Sequence, residues 1–242
     1  MKRKLLNFIV LLSIIFTAAC LSAESDRTTI LLTPDNTVNL RGEVNDESAD
    51  AAARAVLLMD AKRKDSSIIY LVIDSPGGSV TAGESLIEAV KTVQNLKTIT
   101  LSAASMASAI VQALEGERLI VESGMQMYHR AQGQVKGYFE DGKVESRLAF
   151  YKSLIRGMEQ RNADRMKMPL KDYKEKIRNE WWLTAHDSIA ARAADRIVNI
   201  KCSAELLGMY EITVLNMIIF QIPIKQSACP LIKTGEMEKP KE

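Results

Sequence analysis

Reactive side chains are scarce in this chain. Its 242 residues include two histidines and three cysteines. Cys20, Cys202 and Cys229 have no zinc-type spacing, so no metal site is expected, and no cofactor either. Charge of one sign is also missing: 32 Lys and Arg face 30 Asp and Glu. That balance excludes the basic stripe of a nucleic-acid binder, so no nucleic-acid partner is expected. There is no internal repeat, and no apolar run long enough to span a bilayer comfortably. What is present is a 47% hydrophobic chain, suited to one globular domain with a full core.

The first 23 residues stand apart. Lys2, Arg3 and Lys4 form a basic head, Leu5 to Phe16 is almost wholly apolar, and Thr17 to Ala23 supplies small residues for cleavage. This is the anatomy of a signal peptide over 1–23. Cleavage after Ala19 or Ala23 releases a soluble, exported protein. Alternatively Ala18-Ala19-Cys20 acts as a lipobox, and a lipidated Cys20 anchors the chain to a membrane. Otherwise the segment is an uncleaved anchor or a buried N-terminal helix, and the protein is cytoplasmic only if the segment is no signal. In an oxidising compartment Cys202 and Cys229 either pair, stapling the tail to the domain, or stay as isolated thiols.

Strands are expected at Thr28 to Leu32, Val38 to Val44, Ile68 to Ile73, Thr98 to Ser102, Arg118 to Val121 and Met125 to Tyr128. Helices are expected at Glu47 to Lys64 (capped by Asn45 or Asp46), Thr81 to Val93, Met106 to Leu114, Val144 to Arg161, Leu170 to Arg178 and Ala185 to Ala194 (capped by Thr184). This alternation predicts an α/β domain with a mainly parallel sheet. Past Lys201 the pattern is lost. Thr213 to Ile224 reads as an added strand or an interface segment, and Lys225 to Glu242 as a frayed tail.

Three places carry chemistry. Ser105, at a strand-to-helix junction, is either a nucleophile or a helix N-cap, with Ser102 and Ser108 as neighbouring competitors. Gly77-Gly78 ends the run Ile73-Asp74-Ser75-Pro76. It is either an ordinary turn or a source of backbone amides for an oxyanion. His129, at a strand end, is a general base or a structural imidazole; His186, inside the Thr184-Ala185-His186-Asp187 cap, suits the structural role better.

From Leu40 to Val198 the chain resembles the proteolytic subunit of Clp protease, a serine peptidase of the Clp/crotonase fold. The strongest parts are Ile69 to Gly83, containing Ser75-Pro76-Gly77-Gly78-Ser79, and Ala103-Ala104-Ser105-Met106. Asn45-Asp46, Ala131-Gln132-Gly133-Gln134 and Trp182-Leu183-Thr184-Ala185 add support. The resemblance implies a repeated ββα core with a protruding handle helix at Val144 to Arg161, on which heptameric rings stack. It divides the chain into a leader (1–23), a serine endopeptidase domain (24–200) and a divergent C-terminal extension (201–242). By resemblance Ser105 is the nucleophile, His129 the base, and the amides of Gly78 and Met106 the oxyanion hole. The family's aspartate falls at Glu180, which is the third triad member or a solvated charge; Asp172 and Asp187 are weaker candidates. The substrates implied are peptides and unfolded proteins.

Two departures accompany the likeness. The segment after His129-Arg130 is shortened, and the N-terminal hairpin that meets the ATPase has no counterpart before Leu40. With export to a place without ATP, these count against an unfoldase partner. Two other expectations stand beside the first: a serine–lysine peptidase like signal peptide peptidase, which shares a Ser-Pro-Gly-Gly segment, and a catalytically silent ring or scaffold subunit.

Overall fold

A computed structural model describes residues 27–132, 142–216, 221–233 and 236–237. The leader, Cys20 and Gly133-Gln134 lie outside the described residues, as does part of the Thr213 to Ile224 segment.

A seven-stranded sheet organises the domain. It contains β1 (Thr29–Leu32), β2 (Thr37–Val44), β3 (Ile69–Gly78), β4 (Leu96–Ala104), β5 (Arg118–Tyr128), β6 (Trp181–Thr184) and β7 (Arg196–Cys202). Its order is β1-β7-β5-β4-β3-β2, with every neighbour parallel. β6 joins β5 antiparallel, beyond β7's contact with the same strand. The predicted mainly parallel α/β architecture is therefore present, and is that of the Clp/crotonase fold.

The two short strands expected at 118–121 and 125–128 are one strand. β5 pairs β7 through Leu119 to Val121 and β6 through Met125 to Tyr128. Gly124 lies at the join, where a Cβ would stand 2.8 Å from Val121 O and 3.0 Å from Thr100 O. The interruption in the apolar pattern marks a change of partner, not a chain reversal.

Helices cover one face. α1 (Asp46–Lys62), α2 (Val80–Val90) and α3 (Met106–Ala113) bury Val56, Leu86, Met106 and Ile110 against Leu40, Leu71 and Ile73. Asn45 starts α1 with a reciprocal cap: its side chain accepts from Ser48 N, and Ser48 Oγ accepts from Asn45 N. α4 (Lys143–Arg165) follows, then α5 (Leu170–Lys176) and α6 (Ala185–Ala190). Along α4 the side chains of Glu159, Asn162 and Ala163 are buried. Leu148, Phe150 and Tyr151, nearer its start, are exposed.

Beyond Lys201 the described residues are ordered, which corrects the start of the frayed tail expected from Lys225. α7 (Ala204–Gly208), β8 (Tyr210–Asn216) and β9 (Gln221–Ser227) follow in order, with β10 (Glu236–Met237) pairing β9. Cys202 is disulfide-bonded to Cys229. Leu206, Ala228 and Cys229 pack with Leu32, Val72, Ile99 and Val198 in a second core cluster. Arg41 donates to Ser227 O (2.6 Å) and Cys229 O (2.7 Å), and Asn39 to Ala228 O (2.8 Å). Polar composition suggested fraying over Lys225 to Glu242, but partners distant in sequence hold Ser227 to Cys229 down; residues 234–235 and 238–242 of that tail lie outside the described residues.

Candidate active site

β3, β4 and β5 deliver their C-terminal ends to one place, where parallel sheets form ligand sites. β4 stops at Ala104 and α3 begins at Met106, so Ser105 alone makes the turn. Its backbone has φ 55° and ψ −122°, a conformation that only glycine adopts freely. The N-cap reading fails here, because Ser105 makes no side-chain cap hydrogen bond. Its Oγ instead lies 2.7 Å from His129 Nε2. Ser108 is occupied elsewhere: its buried hydroxyl donates between Ala103 O (2.6 Å) and Met127 O (2.9 Å).

Gly77-Gly78 is not an ordinary surface turn. Both residues continue β3, at φ 90° and φ 151°. A Cβ on Gly77 would fall 2.4 Å from Ala104 O and 2.8 Å from both Met106 N and Ser105 Cβ. The strand end is thus pressed directly against the serine turn, and only a residue without a side chain fits. Gly77 N–H is spent on Ser75 Oγ (3.1 Å) and Ser79 N–H on Val44 O (2.7 Å). Gly78, between them, lines the same small cavity as Ser105, Met106 and His129.

A hydroxyl, an imidazole in contact with it and two backbone segments around one cavity are the parts of acyl transfer. The Clp protease family model matches residues 22–201. The chain belongs to the Clp protease family. Among its relatives, the ATP-dependent Clp protease proteolytic subunit 2 of Cutibacterium acnes is 30% identical over 163 residues, 66% of this chain and 76% of the relative. The proteolytic subunit of Ligilactobacillus salivarius is 36% identical over 109 residues, covering 44% of this chain and 55% of its own. That of Streptococcus suis is 25% identical over 171 residues, 69% and 87% respectively. Clp protease proteins are peptide hydrolases of the serine kind, and their proteolytic subunits generally form rings that work with ATPases.

Glu180 is exposed and accepts a hydrogen bond from Trp182 Nε1 at 2.8 Å. Among the described residues no carboxylate is hydrogen-bonded to His129. The β5–β6 register ends at the pair Tyr128 and Trp181, so His129 and Glu180 each directly adjoin that last paired position. Of the weaker candidates, Asp187 closes a reciprocal cap with Thr184, and Asp172 sits in the first turn of α5. Thr184's hydrogen bonds draw the Asp187 carboxyl below its usual range. His186 faces Glu122 at 3.1 Å on the surface, away from Ser105.

The candidate site also rests on residues that carry no motif. Tyr128, which carries His129, is fully buried; its hydroxyl donates to Gln126 Oε1 (2.7 Å) and accepts from Gln112 Nε2 (2.8 Å). Arg118 donates to Gln112 Oε1 and pairs with Asp195. Burial pushes the Tyr128 phenol well above its ordinary range, so it stays a neutral donor. The ring also meets Tyr173 and Trp181, with centroids 6.3 and 5.8 Å away. Arg118, a cation opening the apolar run Leu119-Ile120-Val121, was the available signal, since a buried guanidinium requires partners.

Proposed function

We propose that this protein is an exported serine endopeptidase that hydrolyses peptides and unfolded proteins, with Ser105 as nucleophile and His129 as base. The 2.7 Å contact between Ser105 Oγ and His129 Nε2 carries this reading. Oγ attacks the scissile carbonyl while Nε2 takes its proton. The oxyanion forms against the amides of Gly78 and Met106, the latter at the start of α3. His129 then protonates the departing amine, leaving an acyl ester on Ser105. Water, deprotonated by His129, attacks that ester; the proton returns to Oγ as the acid product leaves.

Glu180 completes the set once its carboxylate turns from the Trp182 indole to the far side of the His129 ring. The places of His129 and Glu180 next to the paired Tyr128 and Trp181, at the end of the β5–β6 register, support this role. The serine–lysine alternative has no comparable support: among the described residues no lysine is hydrogen-bonded to Ser105. The exposed Leu148, Phe150 and Tyr151 on α4 support stacking of homo-oligomeric rings through that helix. The Cys202–Cys229 disulfide and the basic-then-apolar leader support export to an oxidising compartment.

A fluorophosphonate probe tests the reading. Labelling at Ser105, lost in Ser105→Ala together with peptide cleavage, is the expected result. A folded, assembled protein that takes no label and cleaves no peptide is instead the silent scaffold. Native mass spectrometry of the same preparation reads the ring size.

A further inference from the structure

The cavity beside Ser105 is mixed in character. Val80, Met106 and Met158 give it apolar walls, while Glu159 and Asn162 bring polar groups from successive turns of α4. Both are buried, at 9% and 2% exposure. Asn162 donates its amide N–H to Tyr173 Oη at 3.0 Å, and its carbonyl Oδ1 is left buried with no hydrogen-bond partner. Glu159 accepts no hydrogen bond among the described residues. Among the described residues its one ion pair is with Lys174 Nζ, 3.3 Å away on a side chain that is 43% exposed. A buried carbonyl without a partner is costly to leave unmatched, and a largely buried carboxylate, its side chain 11% exposed, favours a cation beside it. Both side chains carry acceptors, and both residues line the cavity that Ser105 lines.

Resting on the catalytic assignment above, we propose that this cavity receives the side chain of the residue whose carbonyl Ser105 attacks, and that the side chain is basic, a lysine or arginine. Its aliphatic stem lies along Val80, Met106 and Met158. Its cationic head, which only donates hydrogen bonds, reaches Glu159 and Asn162 Oδ1. A purely apolar side chain covers both acceptors without pairing either, which disfavours it. An acidic one meets the Glu159 charge. Lys174 occupies the carboxylate when the cavity is empty and yields it to the substrate.

The test uses the purified full-length protein and peptide reporters identical except for Lys, Arg, Met, Leu or Glu before the cut bond. Lys and Arg reporters are expected to exceed Met and Leu by about tenfold or more in kcat/KM, with Glu slowest. Glu159→Gln is expected to collapse the Lys-to-Met ratio about tenfold, and Lys174→Ala, which frees the carboxylate, to raise it. The surface position of Lys174 makes that second variant informative even where the first folds poorly. Faster cleavage after Met or Leu, with a ratio that neither substitution moves, overturns the specificity while leaving the peptidase intact. A folded protein that no fluorophosphonate labels overturns the catalytic assignment, and the specificity with it.

Discussion

Arg118 grips Asp195 with two nitrogens, Nη2 to Oδ1 at 2.6 Å and Nε to Oδ2 at 3.1 Å, and sends its remaining arm to Gln112. The pair ties the start of β5 to the turn before β7 and fixes, through Gln112 and Tyr128, the strand that carries His129. Arg118→Met leaves Gln112 Oε1 and the Asp195 carboxylate without their cation. We expect a loss of about 3 kcal/mol of stability, measured by urea denaturation.

The same pair gives a pH dependence. Partial burial raises the Asp195 carboxyl, but the hydrogen bonds and charge of Arg118 outweigh it, and the net shift is downward. A carboxyl lowered in the folded state contributes stability that is fully present above its unfolded pKa. That contribution is lost as pH falls through the folded value. In thermal melts from pH 6 down to pH 2, Asp195→Asn should flatten the acid-side decline at the expense of stability near neutrality.

Ser105 holds a backbone conformation suited to glycine. Ser105→Gly should therefore raise stability by about 1 kcal/mol while abolishing turnover. Differential scanning calorimetry beside a peptide assay checks both halves. A lower melting temperature would mean that the turn stores no strain.

Gly77→Ala places a methyl group 2.4 Å from Ala104 O, a backbone atom that cannot move aside. The expected outcome is a loss of about 3 kcal/mol or more, with slower labelling of Ser105 in whatever protein folds.

Glu180→Ala should lower kcat by about 10²–10⁴ with little change in KM, the mark of a group that orients the base. Trp182→Phe removes the indole N–H that holds the carboxylate and should leave kcat equal or higher. Steady-state kinetics on both variants decides whether Glu180 serves His129 or only Trp182.

The elements that position the site were legible because local pattern and tertiary role agree there. The continuous apolar run at Ile69 to Ile73 is a strand buried on both faces, and the small residues around Ser105 leave room for a tight turn. Asn45 and Thr184 cap where their side chains predicted. What escaped the sequence depends on distant partners. Trp181 to Thr184 is too short to announce itself as a strand; β5 makes it one. Lys225 to Cys229 reads as polar tail because Asn39 and Arg41, which hold it, lie nearly two hundred residues earlier. Glu159 sits within a heavily charged helix, and nothing in its neighbours' identities tells that its turn faces the cavity.

The bond between Cys202 and Cys229, 27 residues apart, restrains the unfolded chain, and its replacement by two serines should cost about 3 kcal/mol in a chemical denaturation series. It also closes a covalent ring around α7, β8 and β9. A single backbone cut anywhere inside that ring severs no fragment: both pieces stay tethered, and the nicked chain separates only when thiols reduce the bond. Clipping of this hairpin by a peptidase would pass unseen on a non-reducing gel and give two bands on a reducing one.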